Sequence, residues 1–111
     1  MVIVDTEKLL AAIFRNYQCS SRDAARLANC AKDLDDRLQP VLDAWIMDDT
    51  VTDYAVNGVG CRYIMEKTGA GFLPALAQLD YFLKNPDEVD SFKRIPFRVM
   101  DISTKGDIRD A

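Results

Sequence analysis

The stretch YIMEKTGAGFLPALAQLDYFLKNP, residues 63–86, has the pattern of two helices joined at a glycine corner. We predict one helix over about residues 60–68 and a second over about residues 72–84. Gly69 supplies the turn, because glycine tolerates the backbone conformations that a helix-ending turn requires. Pro86 ends the second helix, since proline disfavours helical structure in the residue before it. A helical hairpin therefore forms the centre of the predicted fold.

Three more helices are predicted upstream of this hairpin. The first covers residues 5–18, with Asp5 or Thr6 as its cap. The second is predicted to run from about residue 21 to Leu38 without a break, supported by a favourable ion pair between Asp33 and Arg37 one turn apart. A third begins near Pro40, because proline fits the first helical turn. The apolar stripe of the second helix consists of Ala24, Leu27, Ala31, Leu34 and Leu38.

The remaining segments have weaker patterns. Residues 50–60 are expected to form a short helical or extended lead-in that ends at the Asn57-Gly58 turn. After Pro86, FKRIPFRVMDI (residues 92–102) could be an edge strand or an extended tail. We therefore predict a mainly α fold, a single-domain bundle of about five helices over residues 1–100. The prediction allows for a short β element near the C-terminus. Residues 101–111 are expected to be a frayed tail.

The composition excludes several kinds of catalysis. The chain has 111 residues and no histidine, so Ser-His-Asp and Cys-His arrangements and histidine-ligated zinc sites are ruled out. GVGCRY (residues 58–63) lacks the third glycine of a dinucleotide-binding loop. DLDD (residues 33–36) and DDTVTD (residues 48–53) lack the glycine and closing glutamate of a calcium-binding loop. We expect no catalytic residues, no cofactor and no metal, and thus a protein that is not an enzyme.

Cysteine usage and hydropathy predict a cytoplasmic protein. The three cysteines are an odd number at wide spacing, which is not typical of a disulfide framework. No apolar run approaches the ~20 residues that span a bilayer, and the first residues lack the pattern of a signal peptide. A membrane is therefore not expected as a partner.

The charge is distributed unevenly. The net charge is −4, and the segment 33–53 contains Arg37 as its one basic residue. A field of this sign repels nucleic acid and anionic membranes. The segment is expected to form a solvated acidic face or, in an alternative, to imitate nucleic acid and inhibit a protein that binds DNA or RNA. Its acidic residues are Asp33, Asp35, Asp36, Asp43, Asp48, Asp49 and Asp53.

The hairpin of residues 63–86 resembles the helix-turn-helix motif of DNA-binding proteins, with Gly69 at the turn and Leu76 and Leu79 as inward residues of the second helix. A recognition helix needs side chains that donate to base edges, and residues 70–83 offer only Gln78. Nucleic acid is therefore not expected as a partner, and a helix-turn-helix transcriptional regulator is the alternative. A candidate basic patch that would support it consists of Lys93, Arg94 and Arg98.

The second helix of the hairpin is apolar on more than one side, which is typical of a core helix or half of an interface. Phe72, Leu76, Leu79 and Leu83 form the stripe that we expect in the core. Leu73, Tyr81 and Phe82 lie off that stripe and are the candidate protein-binding residues. The expected function is a small interaction or regulatory protein that binds another protein, or a second copy of itself, through this helix.

Overall fold

A computed structural model describes residues 1–47 and 54–96, and this part of the chain is mainly helical, with no strands. Its contacts group into two compact units, Met1–Tyr54 and Ala55–Ala111. The predicted single domain over residues 1–100 stays a prediction, and the tail 101–111 lies outside the described residues. The helices are α1 (Thr6–Asn16), α2 (Ser21–Asn29), α3 (Gln39–Ile46), α4 (Cys61–Thr68), α5 (Phe72–Lys84) and α6 (Glu88–Arg94), and a 3-10 turn covers Asp36–Leu38.

In the first unit, α1 packs against α2 and α3 and buries its apolar residues Leu9, Ala12 and Ile13. Asp5 begins α1, because its carboxylate accepts hydrogen bonds from the backbone N–H groups of Glu7 and Lys8. Ser20 caps α2 in the same way through the N–H of Asp23, at 3.2 Å. These bonds satisfy amides that would otherwise lack partners at the helix start. The buried residues of the unit include Leu9, Ala12, Ile13, Ala24, Leu34, Leu38, Val41 and Leu42.

The prediction of one helix from residue 21 to Leu38 is wrong. α2 ends at Asn29, turns follow, and Asp33 has a left-handed backbone with φ of 59°. Asp is one of the few residues that tolerates this conformation. Leu34 and Leu38 are buried although the helix ends before them. The spacing of the apolar stripe therefore fits the turns as well as it would fit a helix. Arg37 consequently pairs with Asp35, at 2.9 Å, where a continuous helix would have paired it with Asp33.

α3 begins at Gln39, one residue before the predicted proline, and its other end contacts α1. Pro40 lies in its first turn, and Val41 and Leu42 are buried. At the other end, the Arg15 guanidinium donates to the carbonyl of Ile46 at 2.9 Å. A cation at this end satisfies carbonyls that lack helical partners and complements the helix dipole.

In the second unit, the predicted turn and hairpin are both present. The backbone N–H and carbonyl groups of Val56 and Val59 pair across Asn57 and Gly58, whose φ values are 50° and 85°. α4 ends at Gly69, which has φ of 77°, and α5 has the predicted bounds. Positive φ at both glycines explains why these turns need glycine.

The burial of α5 confirms three of the four residues in its predicted core stripe. Leu76 and Leu79 are 0% exposed and Phe72 is 8% exposed, whereas Leu83 is half-buried. α6 was not predicted, because no helix was assigned after Pro86 and residues 92–102 were expected to be an edge strand or an extended tail. Val89 is buried, and the ring of Phe92 lies 5.1 Å from that of Phe82, so α6 packs its apolar residues inside the unit. The rest of the expected C-terminal β element, from residue 97, lies outside the described residues.

Candidate functional site

The first unit holds a non-helical segment, residues 2–4, that we call the N-terminal strap. The N–H of Val2 donates to the carbonyl of Leu34 at 3.1 Å, and the Val2 side chain is 8% exposed. The N–H of Ile3 donates to the Gln39 Oε1 at 2.7 Å, and Gln39 Nε2 donates to the Ile3 carbonyl at 2.8 Å. A single carboxamide therefore pairs with both polar groups of one backbone residue, as a neighbouring strand would.

Asp43 fixes the orientation of this carboxamide. Gln39 Nε2 also donates to Asp43 Oδ1 at 2.9 Å, one helical turn along α3. An ionised carboxylate only accepts hydrogen bonds, so it selects the orientation in which the NH₂ group faces it. That orientation leaves the Gln39 oxygen for the N–H of Ile3. We call Gln39 and Asp43 the strap clamp.

The clamp holds an apolar side chain in solvent. Ile3 is 85% exposed and Met47, at the end of α3, is 71% exposed. Both line one open hollow of about 350 Å³ together with Ile46. Lys8 and Asp43, which have opposite charges, line the same hollow. We call Ile3, Ile46 and Met47 the apolar patch, with Lys8 and Asp43 as its charged rim.

A second, larger hollow lies on the Val2 side of the strap. Its volume is about 660 Å³, and it is lined by Val2 and Val4, by Leu9 and Leu10 of α1, and by Ala28 of α2 among others. The strap is thus bordered by open space on two sides. No group of three or more Cys, Asp or Glu side chains that could hold a metal ion occurs in the described residues.

The predicted acidic face is divided among local structural roles. Asp35 accepts two hydrogen bonds from the Arg37 guanidinium and one from its N–H, and these bonds hold the pKa of Asp35 well below its usual range. The same pairing raises the pKa of Arg37. Asp36 pairs with the amino group of Met1. Asp43 belongs to the strap clamp.

The other members of that face are Asp33, Asp48, Asp49 and Asp53. Asp33 is exposed in the turn after α2. Asp48, Asp49 and Asp53 lie outside the described residues. The acidic run therefore contributes a cap, an ion pair and a clamp, and the expectation of a purely solvated face stays a prediction for the rest.

The predicted protein-binding residues of α5 require a correction. Leu73 is 0% exposed and Phe82 is 2% exposed, so neither reaches the surface. A 13-residue helix at the centre of a small unit is covered on most sides, which is why residues off the main stripe are buried too. Tyr81 alone of the three is exposed, at 44%, and its hydroxyl donates to Glu88 Oε1 at 3.2 Å. This bond to a carboxylate raises the pKa of Tyr81.

The residues considered for DNA binding are only partly described. Lys93 and Arg94 are exposed in the last turn of α6, whereas Arg98 lies outside the described residues. On α5, Tyr81 and Lys84 are the exposed side chains, and Gln78 is half-buried. The helix therefore presents no row of donors that could read base edges.

Lys67 is a buried charge that the sequence pattern did not single out. It is 2% exposed, and its Nζ donates to the Lys93 carbonyl at 2.9 Å. The same ammonium lies 5.3 Å from the ring centre of Tyr63 and 5.1 Å from that of Phe92. Aromatic faces and a helix-terminal carbonyl both favour a cation, so Lys67 joins α4 to α6.

Comparisons with known proteins identify no relative. No protein-family model matches the chain, and no curated protein or solved structure matches it. Within residues 1–47 and 54–96, none of the helices has the length and hydropathy needed to cross a bilayer.

Proposed function

We propose that the chain is a non-enzymatic protein-binding module whose binding surface is the apolar patch of Ile3, Ile46 and Met47. The observation that carries the proposal is the combination of exposure and restraint at Ile3. Its side chain is 85% exposed, yet its backbone N–H and carbonyl are both held by Gln39.

Restraint of this kind matters because ordering a side chain at an interface costs free energy. A segment that is already held in place has lost much of that entropy before the partner arrives, which improves affinity. An apolar centre with a charged rim is also the usual arrangement of an interface. The patch provides this arrangement, with Lys8 and Asp43 as the rim.

The proposed setting is the cytoplasm. Cys19, Cys30 and Cys61 form no disulfide, and thiols stay reduced in that compartment. Burial raises the pKa of the Cys30 thiol, which lowers its reactivity. A regulatory role belongs to the same proposal, in which the partner is another protein or a second copy of the chain.

A matched pair of variants tests the surface. Ile3→Asp places a charge in the patch, whereas Phe14→Asp makes the same kind of change at another exposed apolar residue of the first unit, on α1. Proteins captured from the source cells by the full chain would be quantified by mass spectrometry for each variant. We expect a partner that Phe14→Asp retains and Ile3→Asp loses. Equal capture by both variants would refute the patch as the binding surface.

A further inference from the structure

We infer that the partner of the apolar patch is a second copy of this chain, joined through a two-fold symmetric interface. The inference rests on the proposed function, because it names the partner of the same surface. It follows from the charges on the rim of the hollow and from the position of the apolar residues among them.

A two-fold interface must be complementary to itself. Each residue that contacts a second residue across the axis is matched by the reverse contact. The rim supplies one exposed cation, Lys8, and one exposed anion, Asp43, on the same hollow. A second copy rotated by a half turn can place Lys8 of each chain against Asp43 of the other, so both ion pairs form at once.

The third charged residue on the hollow, Asp5, has a structural role as the cap of α1. Asp5 accepts from the N–H groups of Glu7 and Lys8 and caps α1, so its negative charge is partly offset by the positive end of the α1 dipole. Asp43 accepts from a neutral amide, Gln39 Nε2, and lies beyond the first turn of α3. Lys8 and Asp43 are therefore the two charges of opposite sign that the hollow offers to a partner beside its apolar centre.

The apolar centre supplies the driving force. Ile3 and Met47 are among the exposed large apolar side chains of the described residues, and both line this hollow. Covering them removes apolar surface from water, which is the main favourable contribution to association. The patch is small, so we expect a weak dimer, with a dissociation constant between about 1 µM and about 1 mM.

The first experiment measures self-association of the full chain. Sedimentation equilibrium over about 1 µM to about 1 mM should show a monomer–dimer equilibrium. Met47→Asp should weaken the dimer by about tenfold or more, because an apolar side chain that the partner copy covers would be replaced by a charge. Phe14→Asp is the control and should leave the equilibrium unchanged. Monomer throughout this range would overturn the inference.

The second experiment tests the two-fold pairing by a sign reversal. Lys8→Glu should weaken the dimer by up to about tenfold, since two attractive pairs become two repulsive ones. Asp43→Asn removes the charge but keeps an oxygen that accepts from Gln39. Alone it should weaken the dimer, because it removes an attraction. In the Lys8→Glu background it should strengthen the dimer, because it removes a repulsion.

The coupling between the two positions should also shrink as salt is added, since exposed charges are screened. If Asp43→Asn has the same direction of effect in both backgrounds, the two residues do not meet across the axis and the inference is wrong. A chain that stays monomeric but loses a captured partner on Ile3→Asp would refute the inference and leave the proposed function standing.

Discussion

Replacing Leu73 by alanine is the most direct test of α5 as the core of the second unit. The side chain is fully buried, so the substitution removes three carbon groups from the interior, worth about 2.4 kcal/mol at ~0.8 kcal/mol each. The cavity that remains adds to this loss, and measured cases give totals of about 2–5 kcal/mol. Leu76→Ala should cost a similar amount, because Leu76 is equally buried.

Urea denaturation followed by circular dichroism would measure these losses, with Tyr81→Ser as the control on the same helix. Tyr81 is partly exposed and its hydrogen bond to Glu88 lies at the surface, so the control should cost about 1 kcal/mol. Leu73→Ala should therefore unfold at a clearly lower urea concentration than Tyr81→Ser. If Leu73→Ala is as stable as the wild type, α5 is not central, and Leu73 returns as a candidate for a binding face.

Four further predictions concern the clamp, the ion pair, the turn and DNA. Gln39→Ala should speed hydrogen exchange of the Ile3 amide, measured by NMR, by at least about fivefold. This factor corresponds to about 1 kcal/mol for the lost hydrogen bond. Arg37→Ala should raise the pKa of Asp35 toward its ordinary value in an NMR titration; because the folded-state pKa is lowered, the stability from this pair is present at neutral pH and is lost as pH falls through that lowered pKa. Gly58→Ala should destabilise the chain by about 1–2 kcal/mol in thermal unfolding, since φ is 85° while the added Cβ would meet only Lys93 Nζ at an ordinary 3.7 Å. Selection from random DNA duplexes should recover no consensus site, because α5 presents no row of side chains that could donate to base edges. A consensus site whose binding is lost on Gln78→Ala would contradict this prediction.

The second unit was predictable because its boundaries depend on residues with few conformational options. Gly69 ends α4 in a left-handed conformation and Pro86 lies just beyond α5, so both ends of the hairpin are marked in the sequence. α6 was missed because its seven residues contain two apolar side chains, Val89 and Phe92. A helix this short has too few turns for its periodicity to stand out.

The break after α2 could not be predicted from periodicity. Ala31, Leu34 and Leu38 are spaced as in a helix, and they are buried in the turns that replace it. The spacing records which residues face the core, whereas the backbone between them depends on long-range bonds such as the one from Val2 to Leu34. Asp33 tolerates the left-handed conformation of the turn, and Asp35 caps the 3-10 segment.

The apolar patch could not be predicted from sequence patterns either. Ile3 precedes the first helix, so no periodicity assigns it a face, and the residue that fixes its backbone, Gln39, is 36 positions away. An apolar helix in a small unit is used first to build the core, because little else is available to fill it. Ile3, the most exposed of the large apolar side chains described, lies instead where the strap clamp holds the chain outside the regular elements. In this chain the search for a partner therefore begins at Ile3 and Met47 and not at the apolar sides of α5.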